Sequence, residues 1–255
     1  LNAWLRAPGS ATNLAAFRVI FYGLLPTTGR FAEAIERSGY PQELLVPPNG
    51  WAWLFRLLPV APPVVEAAAW IAIAAGALAA LGFATRAAQF VCLFASFYTL
   101  TVCNSFGKVE HFHHLIWFQL VLLASPCAEV LSVDAWLAKK CSPAPSIRFG
   151  MPIRLIWILL GVIYFFPGFW KWRAGGLDWG MGENIANILH HRWHELGMVP
   201  GLRIDTFPLL MSIGGVGTML FEMGFIAAIF HPVTRTIFAF AGLLFHIGMG
   251  YQIQI

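Results

Sequence analysis

The sequence predicts an all-α, polytopic integral membrane bundle of about seven transmembrane helices, with short interfacial helices between them. Two observations carry this. Hydrophobic residues make up 58% of the chain and charged residues 11%, against roughly 25% charged in soluble proteins. The apolar residues also gather into runs near the length of about 20 residues that a hydrocarbon layer of about 30 Å requires. The lipid bilayer is therefore the expected solvent. The 255 residues suit a single helical membrane domain over 1–255, without a large soluble module. A net charge of +4 with no basic run argues against nucleic acid as a partner.

The first span is predicted over Asn13–Glu36 and carries Arg18 and Arg30. No basic start, short apolar core and small-residue cleavage site precede it, so it is expected to be retained. In Pro41–Pro59, Pro47-Pro48-Asn49-Gly50 signals a turn. Trp51-Ala-Trp53-Leu-Phe55-Arg56 is too short to cross and reads as a headgroup-level segment. The second span is Pro63–Phe83, the third Ala87–Asn104 and the fourth His111–Pro126. After it, Ser132-Val-Asp134 can cap a short helix ending at Lys139-Lys140. The Pro-rich piece Cys141–Pro152 leads into the fifth span, Pro152–Trp170. Over Glu183–Leu196, Ile185, Ile188, Leu189 and Trp193 recur at helical spacing and predict an amphipathic helix. The sixth span is Phe207–Phe230, containing Glu222, and the seventh is Val233–Tyr251, containing His246. Cys92, Cys103, Cys127 and Cys141 form no CxxC pair and read as small core hydrophobes.

Seven spans put the termini on opposite sides. Lys139, Lys140, Arg148 and Arg154 follow the fourth span close to membrane ends, which favours a cytoplasmic N-terminus. On that topology His111, Lys171 and His246 fall in the same half of the bilayer.

Lys171 ends the fifth span inside Tyr164-Phe-Phe-Pro-Gly-Phe-Trp-Lys171-Trp. One reading is a lysine that snorkels to the headgroups. The other is an amine desolvated among Tyr164, Trp170 and Trp172, hence neutral and able to act as a base. Pro167-Gly168 would bend the helix or admit a ligand closely. Glu110-His-Phe-His-His114 fits either a metal site or polar contacts at a helix start. His190 and His194 are spaced one helical turn apart, on an exposed interfacial helix or at a metal. Glu222 is expected to pair with Arg18 or Arg86. His246 is intramembrane, and such residues usually face a partner or cavity. Haem ligation by His246 with His111 or His113 is a rival reading.

Taken together, these residues resemble vitamin K-dependent γ-glutamyl carboxylase and its bacterial relatives, the horizontally transferred transmembrane (HTTM) proteins. The resemblance lies in Tyr164–Trp172 followed by Asp178-Trp179, in His111, in Phe118-Gln119-Leu120, in Ser132-Val-Asp134, in Leu244-Phe-His246 and in Arg18. Glu110 replaces the family's Asn, and Trp170 stands where animal carboxylases have a second lysine. The resemblance implies a catalytic set of Lys171, His111 and His246, with Lys171 as the base toward a hydroquinone. It implies that Tyr164, Trp170 and His114 help bind the quinone or hydroquinone cofactor. It also implies a bacterial inner membrane with the N-terminus in the cytoplasm. Two other functions compete with this enzyme-like site. One is a non-catalytic accessory subunit of a larger membrane complex, touching other membrane subunits through small-residue faces such as Gly214-Gly215 and Gly217. The other is a haem- or metal-binding redox protein.

Overall fold

The computed structural model describes residues 1–50, 52–107, 112–181 and 183–253. Among the described residues the regular structure is helical throughout. The helices are α1 (Asn2–Arg6), α2 (Ala11–Leu24), α3 (Arg30–Ser38), α4 (Ala52–Leu57), α5 (Pro62–Leu81), α6 (Thr85–Cys103) and α7 (His114–Ala124). They continue with α8 (Val133–Leu137), α9 (Ile147–Gly175), α10 (Asp178–Met181), α11 (Asn184–Leu196), α12 (Pro208–Ala228) and α13 (Pro232–Ile253).

Five of these, α5, α6, α9, α12 and α13, are long and apolar enough to cross a membrane. Two of the seven predicted spans differ. The first divides into α2 and α3, because Pro26 lies in a 3-10 turn and Gly29 takes a left-handed φ of 72°. The 14 residues of α2 rise only about 21 Å. The fourth is reduced to the 11 residues of α7, about 16 Å of rise. Its predicted first residue, His111, lies outside the described residues. The short predicted helices do form. Ser132 Oγ accepts from Ala135 N at 3.0 Å and caps α8. In α11, Leu189 and Trp193 are buried as the spacing requires, whereas Ile188 is exposed.

The chain forms two compact units, Leu1–Ile156 and Trp157–Ile255. In the first, α5 buries a row of small residues, Ala69, Ala72, Ala75, Gly76 and Ala79, which lets it pack closely on α2 and α6. Helix α6 buries Gln89, Cys92, Ser96 and Thr99 while exposing Phe90, Val91 and Phe94. Polar residues inside and large apolar residues outside suit a helix whose solvent is lipid. Arg18 is fully buried. Its guanidinium donates to the Cys127 carbonyl at 2.9 Å and to those of Leu131 and Ala80, tying α2 to the end of α5 and to the segment before α8. All four cysteines are free thiols, and only Cys141 is exposed.

The second unit holds the rest of α9 with α10 to α13. Backbones approach closely where glycine permits. A Cβ on Gly161 would lie 3.1 Å from Ile226 Cα, and one on Gly168 would lie 2.8 Å from Glu222 Cβ and 3.1 Å from Met223 N. As α9 advances from 161 to 168, its neighbours on α12 run from 226 back to 222, so the two helices are antiparallel.

Candidate functional site: an amine–carboxylate pair between two helices

Lys171 lies one turn before the end of α9, on the glycine face that meets α12. Its Nζ donates to Glu222 Oε1 at 2.6 Å and to Oε2 at 2.8 Å. The Lys171 side chain is 25% exposed and that of Glu222 only 9%. The predicted pairing of Glu222 with Arg18 or Arg86 is therefore wrong. Arg18 is occupied by carbonyls, and Arg86 donates to the Leu123 carbonyl. The error came from depth. α9 starts at Ile147 and ends at Gly175, beyond both predicted limits, so Lys171 is inside the helix and level with Glu222. Lys171 is not a lone cation at the helix end. It is held against a carboxylate, an arrangement that sequence reasoning missed although both residues were singled out.

The aromatic neighbour of the amine is Trp179 of α10, with Nζ 5.0 Å from its ring centroid. Trp170 is 60% exposed and meets the Arg173 guanidinium at 5.6 Å instead. Trp179 belongs to the Asp178-Trp179 pair that followed the lysine motif, so adjacency in the motif was the available signal. Gly180 makes room for this docking, since a Cβ there would lie 2.6 Å from Val216 N of α12. The close approach permitted by Gly168 serves α12 and not a bend for a ligand, and α9 remains one helix through Pro167.

A second pair lies on the same side of α9. Tyr164 hydroxyl and His246 Nε2 are 2.6 Å apart. The Tyr164 ring stacks on Phe225, with centroids 4.7 Å apart, and meets Phe221 edge-on at 5.3 Å. Phe221 and Phe225 flank Glu222 along α12. Lys171 is seven residues from Tyr164, about 10 Å along the helix, so the two polar pairs are separated by two turns of an aromatic wall. Lys171, Glu222, Tyr164, His246 and Trp179 all belong to the second unit. His114 belongs to the first, where its ring lies 5.7 Å from Phe118, and His111 lies outside the described residues. Two histidines of α11 meet carboxylates: His190 Nε2 is 2.8 Å from Asp205 Oδ2, and His191 Nε2 is 3.3 Å from Glu195 Oε1. Asp205 is held well below the usual carboxylate range, chiefly by its hydrogen bond from Arg203; desolvation opposes this, and the hydrogen bond with His190 adds to the lowering.

Apolar helices of spanning length, polar interiors and lipid-facing aromatics define an integral membrane helical protein. The HTTM domain profile matches residues 7–253, and the chain belongs to the HTTM domain family. The match runs through both compact units. No curated protein and no solved structure matches the chain.

Proposed function

We propose that this HTTM domain is a quinone-handling membrane enzyme in a bacterial inner membrane, with Lys171 as its base. The observation that carries the reading is an amine and a carboxylate bonded to each other inside an apolar unit, two helical turns along α9 from a tyrosine–histidine pair. The donor set fits a flat aromatic ligand with ionisable oxygens. Lys171 Nζ and the Tyr164–His246 pair offer polar contacts, and Trp179, Phe221 and Phe225 offer ring faces. A hydroquinone, when bound, supplies an acidic hydroxyl and reducing electrons. Lys171 Nζ donates to both oxygens of the Glu222 carboxylate, so passing one proton to Glu222 leaves a neutral amine, which takes the hydroxyl proton of the hydroquinone; Glu222 then carries the proton that has to be released. Tyr164 and His246 hold the other polar end.

A second reading is a non-catalytic scaffold within a larger membrane complex. It is supported by the glycine-lined contact of α9 with α12, in which Lys171–Glu222 acts as an interhelical tie. The two separate in one experiment. The purified protein in lipid nanodiscs is given dithiothreitol-reduced menaquinone and air, and oxidised products are followed by chromatography. The enzyme reading expects turnover above the protein-free control and a loss of about 10²-fold or more in Lys171→Arg, with the thermal midpoint retained. Equal product with wild type, Lys171→Arg and empty nanodiscs leaves the scaffold.

A further inference from the structure

The first unit holds a cavity of about 700 Å³ far in sequence from the Lys171 pair, lined by Glu129, Leu131, Ser132, Trp136, Lys139 and Lys140 among others. Its level relative to the helices is fixed by hydrogen bonds. Asp134 N donates to the Gly82 carbonyl at 2.9 Å, and the Asp134 carboxylate accepts from Ala84 N and Thr85 N at 2.9 and 2.8 Å. The cavity therefore abuts the turn where α5 ends and α6 begins, which is also the end of α7 and the start of α9. Helix ends of spanning segments lie at headgroup depth.

Its chemistry is two-sided. Trp136, Leu137 and Leu131 are large apolar side chains exposed at the rim, Trp136 by 76%. Exposed tryptophan at this depth is an interfacial residue. Lys139 and Lys140 are exposed cations without an ion-pair partner among the described residues. The acidic groups nearby are already satisfied. Glu129 pairs with Arg148, and Asp134 faces Ala84 and Thr85. Lys139 has a left-handed φ of 50°, a conformation that a helix end normally gives to glycine. It accepts that strain while closing α8 through Lys139 N to Trp136 O and Lys140 N to Ala135 O, at 3.1 and 3.0 Å. The turn places two ammonium groups in succession at the mouth of an apolar-rimmed cavity.

We infer that this cavity is a binding site for an anionic glycerophospholipid, its phosphate held by Lys139 and Lys140 and its upper acyl chains against Leu131, Trp136 and Leu137. The chemistry is that of a juxtamembrane basic pair facing an anionic leaflet. Ser142, exposed on the cavity lining, supplies a hydroxyl suited to a phosphate or glycerol oxygen.

The test uses the full chain purified in detergent and titrated with equimolar phosphatidylglycerol and phosphatidylcholine, with bound lipid read by native mass spectrometry. Wild type is expected to retain phosphatidylglycerol preferentially. Lys139→Gln with Lys140→Gln is expected to lose that preference by about tenfold, and Lys139→Arg with Lys140→Arg to keep it. Arg56→Gln, in the headgroup-level helix α4, is expected to have no effect. Absence of a preference in wild type overturns the site, as does its survival in the double glutamine variant. Displacement of the lipid by soluble glycerol 3-phosphate would also overturn it, because the pocket would then bind a free phosphate and not a lipid.

Discussion

At the scale of single residues, the decisive feature is that Lys171 has a partner. A charged group within an apolar unit is costly when isolated and tolerable when paired and hydrogen-bonded. Removing one member leaves the other stranded, whereas removing both leaves an apolar contact. Glu222→Ala or Lys171→Ala alone is therefore expected to destabilise the second unit by about 3 kcal/mol. Lys171→Met with Glu222→Met should recover most of that loss. A double-mutant cycle on chemical unfolding in mixed micelles measures it, and additive single effects would mean that the pair carries no coupling. Lys171 was conspicuous in the sequence because charges are scarce, and so was Glu222. Their pairing was not legible, because it depends on a register between α9 and α12 set by Gly161 and Gly168. Neither glycine declares which helix it admits.

At the scale of elements, hydropathy located α5, α6, α9, α12 and α13 to within a few residues, except for the N-terminal extension and longer C-terminal end of α9. It failed where backbone chemistry cuts across an apolar run, as at Leu25-Pro26 and Gly29. Local capping was legible, since Ser132 and the acidic residue two positions on stand in sequence beside α8. The longer-range role of Asp134 was not. Its carboxylate also accepts from Thr85 Oγ1 at 2.6 Å, so one side chain caps α6 from fifty residues away and fastens α8 to it. Partial burial opposes ionisation of Asp134. The bonds from Thr85 and Ala84, aided by Arg18, outweigh it and hold the carboxyl below its usual range. The unfolded chain then binds more protons, so this contribution is complete above the ordinary carboxylate value of about 4 and is lost as pH falls through the lower folded value. Asp134→Asn is expected to lower the thermal midpoint at neutral pH and to flatten its fall below about pH 4. Parallel melting curves for both proteins across that window would reject the linkage.

At the scale of the whole molecule, the question is which leaflet each end meets. The cavity end of the first unit carries Arg86, Lys139, Lys140 and Arg148 next to helix ends, and the positive-inside rule predicts a cytoplasmic location for such an end. Helix α2 begins at that end, where Gly9 and Ser146 exchange backbone hydrogen bonds at 3.0 Å, so the rule predicts a cytoplasmic N-terminus. The cysteines provide a direct readout. Cys92, Cys103 and Cys127 are buried, and Cys141 is exposed directly after Lys140. A membrane-impermeant maleimide should therefore leave the protein unlabelled in intact spheroplasts and modify it in inverted vesicles, with Cys141→Ser abolishing the signal. Labelling in spheroplasts that vanishes in Cys141→Ser would turn the chain over and place the basic cavity in the outer leaflet.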